Sequence, residues 1–189
     1  MRISVRRLAC GVGAAIALLT SASVVVAQPA QLAQLALSLD GAALLDARPL
    51  AMPVDGVRPE TLRDTFADGR TGGAHEALDI MSPRGTPVRA ADDGTLIKLF
   101  QSVPGGITIY QFDPAGQLAY YYAHLDRYAD GIHEGMMLKR GDVIGYVGST
   151  GNASPNAPHL HFAVFRLGPD KRWWQGTAVD PYPALRRLR

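Results

Sequence analysis

Beyond residue 72 the chain breaks into short β-branched and aromatic runs, each closed by Gly, Pro, Asp or Asn. Runs this short cannot build a helical core; they predict a mainly antiparallel β-sheet with few, short helices. The expected strands are Ile80–Met81, Pro87–Ala91, Thr95–Phe100, Ile107–Phe112, Leu118–His124, Val143–Val147 and His159–Arg166. Asp92-Asp93-Gly94 and Asp113-Pro114-Ala115-Gly116 supply turn chemistry between them. The 20 Gly and 13 Pro among 189 residues fit the same picture.

Residues 1–27 read as a secretory signal: Arg2, Arg6 and Arg7 lead an apolar run, and Ala27 supplies a small residue at the cut. The alternative is an uncleaved membrane anchor, since the apolar run approaches bilayer length. The only cysteine, Cys10, lies in this segment, so the remaining chain is cysteine-free and nearly neutral. That composition excludes a disulfide framework and a Cys-rich zinc module. A formal charge of +2 on the whole chain is too small for a nucleic-acid binder. Residues 28–49 read as a linker or short helix, with Leu32, Leu35 and Leu39 spaced like a helix face. One domain is expected over 50–184, followed by a basic tail at 185–189.

Four of the five histidines fall in clusters. His75 is followed by Asp79, His124 lies in Tyr121-Tyr122-Ala123-His124-Leu125, and His159 and His161 lie in Pro158-His159-Leu160-His161-Phe162; only His133 stands apart. Side chains alternate along a strand, so His159 and His161 share a face while Leu160, Phe162 and Val164 take the other. The same alternation groups Tyr120, Tyr122 and His124, aiming a third imidazole from a neighbouring strand. Gly72-Gly73 before His75 and Pro83 after it argue for a loop running into a strand, not a metal-binding helix.

Imidazole nitrogen and carboxylate oxygen are good zinc ligands, and two His with one Asp leave a coordination position open for water. Zinc lowers the pKa of such water to about 7 and polarises a carbonyl. Other imidazoles can then move protons or stabilise an oxyanion. Each cluster also has a plainer reading. His75 and Asp79 can be an ordinary surface pair, and Tyr120, Tyr121 and Tyr122 strand packing and cleft wall. Trp173 and Trp174 are expected to anchor the C-terminal segment, with stacking on sugar or peptide as the alternative. Arg186, Arg187 and Arg189 read as a solvated end.

Taken in order, His75-Glu76-Ala77-Leu78-Asp79-Ile80, Gly85-Thr86-Pro87-Val88, Asp93-Gly94, Tyr122-Ala123-His124-Leu125, Gly141-Asp142-Val143-Ile144-Gly145, Gly148-Ser149-Thr150-Gly151, His159-Leu160-His161-Phe162 and Asp180-Pro181 resemble the lysostaphin/LytM-type zinc metallopeptidases. The resemblance covers about residues 50–184. It implies an antiparallel sheet crossed by a substrate groove, one Zn2+ per chain held by His75, Asp79 and His161, and His124 and His159 flanking it as base and transition-state stabiliser. The implied activity is that of a periplasmic or secreted zinc endopeptidase. It would hydrolyse peptide cross-links or stem peptides of peptidoglycan by attack of a zinc-bound water. The implied partner is peptidoglycan, with no nucleic acid, a membrane only if residues 1–27 stay attached, and room for a protein activator. The alternatives are a non-hydrolytic regulator of other wall hydrolases, or a zinc peptidase with a protein substrate. Two departures stand out: Ala163 where the family commonly has Glu, and Gly105-Gly106-Ile107 where it has a Tyr-Gly-Asn turn. They bear on which peptide fits.

Overall fold

The computed structural model describes Gln28, residues 40–70 and residues 73–189. The expected signal segment and the Leu32, Leu35 and Leu39 stripe lie outside the described residues. Helix α1 covers 40–46, and a 3-10 turn with Pro in its first turn spans Pro59–Thr61. The strands are β1 (Gly69–Arg70), β2 (Gly73–Ala74), β3 (Leu78–Met81), β4 (Pro87–Arg89), β5 (Gly94–Ser102), β6 (Gly106–Phe112), β7 (Leu118–Tyr128), β8 (Met137–Leu138), β9 (Val143–Val147), β10 (His159–Leu167) and β11 (Gly176–Val179), followed by α2 (Tyr182–Arg186). Among the described residues, no helix is long and apolar enough to cross a membrane.

The main sheet runs β11-β10-β7-β6-β5-β8, with β3 paired to β10 and β9 paired to both β7 and β4. Every pairing is antiparallel. The 11-residue β7 is the spine. Its first half pairs with β6 and β10, and its second half with β9. Each expected strand is found, with bounds shifted by a few residues. The two-residue strands β1, β2 and β8, and the edge strand β11, escape sequence reading because so few alternating positions carry no period.

One face of the sheet is sealed. Leu78, Ile80, Leu96, Ile109, Tyr120, Tyr122, Leu125, Leu160 and Phe162 are fully buried there, each aliphatic side chain contributing about 1.5–3 kcal/mol. This placement corrects the expected grouping of Tyr120 and Tyr122 with the imidazoles: both tyrosines lie on the Phe162 side, stacked or tilted against its ring. Their hydroxyls are satisfied inside the core. Tyr122 donates to Gln111 Oε1 at 2.8 Å, and Tyr120 donates to Asp92 Oδ2 at 2.9 Å. Arg48 Nε donates to the same carboxylate at 2.6 Å, fastening the end of α1, whose Leu45 is 1% exposed.

The chain end is anchored by α2, where Leu185 is fully buried and Arg187 donates to Asp46 at 2.5 Å. This corrects the anchoring role expected of Trp174, while Trp173 is half-buried against Tyr110 and Phe100. Trp174 is 60% exposed, and both indoles stand on the open face of the sheet.

Candidate metal centre

The register of β10 builds the centre. His161 lies directly opposite Asp79 of β3 on one side and Ala123 of β7 on the other. Leu78 and Ile80 bury themselves below, so Asp79 emerges on the open face with His159 and His161. His75 comes from the loop between β2 and β3, which doubles back through Glu76 at φ +56°. Thr65 braces this loop, accepting the Asp79 N–H at its hydroxyl and donating that hydroxyl to the Ala77 carbonyl.

His75 Nε2 and His161 Nδ1 lie 3.0 Å apart, and each lies 3.1 Å from Asp79 Oδ1. Three ligand atoms thus form a nearly equilateral triangle. Ligands on a tetrahedral zinc are separated by roughly 3.3–3.5 Å, so each side of the triangle would widen by only a few tenths of an ångström around the ion. His75 donates its Nδ1–H to the Thr65 carbonyl at 3.0 Å, which leaves its Nε2 lone pair facing the anionic Asp79 Oδ1 at 3.1 Å. A cation is the group that reconciles such a set.

His124 joins this face against the parity expected from its strand. The β6–β7 register slips between Ile107 and Ile109, and His124 takes φ +60°, so its side chain leaves the Tyr122 side and turns into the cleft. Its ring centroid lies 5.0 Å from that of His159 and 5.5 Å from that of His161. The five residues singled out from sequence therefore meet in one place, and His133 does not.

The electrostatics follow from burial. His124, 6% exposed, is pushed down to about 4 by desolvation, against the pull of its Thr150 hydrogen bond. His75 is also pushed down by burial, which outweighs the nearby Asp79 charge. Burial alone would raise Asp79, but the His161 hydrogen bond and the neighbouring imidazoles overcome it and hold the carboxyl at about 2. Asp79 thus stays an anion and the two buried imidazoles stay neutral, the states in which they act as ligands or proton acceptors.

Several contributors carry no sequence signal. The carbonyls of Thr65, Thr150 and Ala157 accept from Nδ1 of His75, His124 and His159 at 3.0, 2.8 and 2.8 Å. Arg70 of β1 donates to Asp79 Oδ2 at 2.8 Å from the cleft rim. The cleft holds about 570 Å3, bounded by the imidazoles, Asp79, Arg70, Tyr121 and Asn152. A larger hollow of about 840 Å3 beside Arg166 and Lys171 contains no convergent ligands or imidazoles.

A sheet groove holding a His-Asp-His triangle beside two further imidazoles defines a metallopeptidase. The chain belongs to peptidase family M23, whose family model matches residues 73–181. It is similar to the L-Ala--D-Glu endopeptidase of Bacillus subtilis, with 34% identity over 66% of this chain and 39% of that one. It is likewise similar to the glycyl-glycine endopeptidase ALE-1 of Staphylococcus capitis, at 34% over 62% of this chain and 31% of the relative. The chain therefore spans well under half of these relatives' lengths. Among solved structures, the catalytic domain of lysostaphin from Staphylococcus simulans superposes with a TM-score of 0.53 and 30% identity, over 76% of this chain and 96% of that one.

Proposed function

We propose that this chain is a zinc-dependent endopeptidase of the cell envelope, periplasmic or secreted, that cleaves peptide cross-links or stem peptides of peptidoglycan. The reading is carried by the ligand triangle of His75, Asp79 and His161 lying beside the imidazoles of His124 and His159. The activities of the relatives, endopeptidases for L-Ala--D-Glu and glycyl-glycine bonds, support the substrate class.

His75, Asp79 and His161 are the residues that would hold the metal. Bound there, zinc would supply a Lewis acid that polarises the peptide carbonyl and acidifies water to a pKa of about 7. His159 Nε2, 3.7 Å from Asp79 Oδ1, takes the proton of the attacking water and returns it to the leaving amine. Its Nδ1–H is committed to Ala157, so Nε2 is the free acceptor. His124 is fixed in the same tautomer by Thr150, and its burial keeps it neutral, so it accepts a hydrogen bond from the same water and orients it.

The test is metal analysis of the purified protein together with digestion of isolated peptidoglycan. About one zinc per chain and new peptide termini, both lost on chelation, are expected. An unchanged muropeptide profile from zinc-loaded protein overturns the reading. The envelope address is tested by fractionation and by N-terminal sequencing for a chain beginning at Gln28.

A further inference from the structure

The face that carries the ligands does not stop at them. Along β10 the residues His159, His161, Ala163 and Phe165 alternate onto one side, and the cross-strand neighbours of Ala163 are Tyr121 and then Tyr110. The Tyr121 ring lies 6.0 Å from that of His161, Tyr110 lies 4.6 Å from Tyr121, and Trp173 lies 4.8 Å from Tyr110. Trp174 follows at 5.1 Å and Phe100 flanks Trp173 at 5.3 Å. An unbroken aromatic strip thus leads from a metal ligand to two exposed rings, Trp174 at 60% and Phe100 at 39% exposure. Nothing in the core requires them there.

We infer that this strip, ending at Trp173 and Trp174, is a binding subsite for a pyranose ring of the glycan strand to which the cleaved peptide is attached. Three observations carry the inference, which rests on the proposed peptidoglycan reading.

The first is the chemistry of the hollow. It measures about 230 Å3 and is lined by Tyr110, Phe165, Trp173, Trp174 and Gln175, with no charged side chain. That is below the roughly 300–1,000 Å3 of a whole-ligand pocket, and so accepts one ring of a longer ligand. Aromatic faces are electron-rich and attract the polarised C–H bonds of a sugar face, while the Gln175 amide at the rim suits hydroxyl or acetamido groups. An anionic or strongly basic peptide segment finds no partner here.

The second is reach. The three ring steps from His161 to Trp173 cover at most about 15 Å, the span of four to five extended residues. A short peptide with its scissile bond at the ligand triangle thus places its sugar end on the indoles.

The third is the floor. Ala163 is 1% exposed and lies opposite Tyr121, so the strip carries no carboxylate between the ligands and the rings. The Tyr121 hydroxyl is accommodated by Gly105, where a Cβ would come within 2.3 Å of it. The two departures noted in the sequence thus both lie beside Tyr121.

The chain contains two Trp, and both belong to the strip, so intrinsic fluorescence reads it directly. The probe is a peptide-free hexamer of N-acetylglucosamine titrated into the whole protein. A saturable fluorescence change is expected, with affinity about tenfold weaker in Trp174→Ala and largely restored in Trp174→Tyr. In parallel, the ratio of kcat/KM for glycan-linked over glycan-free stem peptide falls about tenfold in Trp174→Ala. Trp174 is mostly exposed, so its truncation leaves the core intact. A flat titration, or an unaltered ratio, overturns the subsite. Saturable binding in a protein that cleaves neither substrate removes the peptidase reading instead, and cleavage of both with a flat titration removes only the subsite.

Discussion

His124 donates its Nδ1–H to the carbonyl of Thr150 at 2.8 Å, and the loop that presents this carbonyl is held by two glycines in contact. Gly106 at φ +65° and Gly151 at φ +74° approach so closely that a Cβ on either would fall within 2.5 Å of the other's backbone nitrogen. Thr150 Oγ1 completes the clasp, accepting the Ile107 N–H and donating to the Leu125 carbonyl. One imidazole thus depends on the meeting of two loops.

Gly151→Ala forces that contact apart and strains a left-handed residue. A stability loss of about 2 kcal/mol in urea is expected, with kcat falling at least tenfold and zinc content retained. Zinc lost together with activity would mean that the clasp supports the ligands and not His124 alone.

His159→Ala removes the proposed proton carrier and leaves His75, Asp79 and His161 in place. Zinc stoichiometry should hold while kcat falls about 10²–10⁴-fold. His161→Ala breaks the triangle, so metal and activity should disappear together. Metal analysis and turnover on the same samples separate the two outcomes.

Arg70 orients the ligand carboxylate through Asp79 Oδ2. Groups that hold a ligand in place are worth about 10–100-fold in metal affinity, and the half-exposed guanidinium belongs at the lower end. Arg70→Ala is expected to weaken zinc about tenfold in competition with a chelator, and Arg70→Lys to recover part of the loss. Unchanged affinity would make Arg70 a rim residue only.

Asp55 is held below the usual carboxylate range, chiefly by its hydrogen bonds from Arg89 and against the opposing effect of burial. A depressed folded pKa stabilises above the unfolded value near 3.9, and the contribution fades as pH falls through the folded value. The pair is more than a third exposed, so screening limits it to about 1 kcal/mol. Asp55→Asn should therefore lose up to that much at pH 6 and match the wild type by pH 2, as read by urea melts at both.

The legible part of the site was whatever depended on strand parity. His159 and His161 share a face because nothing interrupts β10 between them. His124 obeys a different rule, since a register slip and a left-handed residue reverse its side, and neither follows from the local run Tyr122-Ala123-His124. The partnership of Asp79 with His161 spans 82 positions and is set by which strands neighbour which, information that β3 does not carry by itself. Arg70 sits in a two-residue strand with no pattern to read. Trp174 looked like an anchor because its hydrophobicity was visible and its exposure was not.

Three of the four clustered imidazoles give a proton to a main-chain oxygen, which any residue type provides. Tautomer choice in this cleft is therefore written in the path of the backbone. Thr65, Thr150 and Ala157 supply it without their side chains, so substitutions that preserve the loop trace are silent toward it. A single inserted residue would rotate the carbonyl away and exchange donor for acceptor at the cleft. For redesign, loop length is the setting to conserve, together with the Thr65 and Thr150 hydroxyls that hold two of these loops in place.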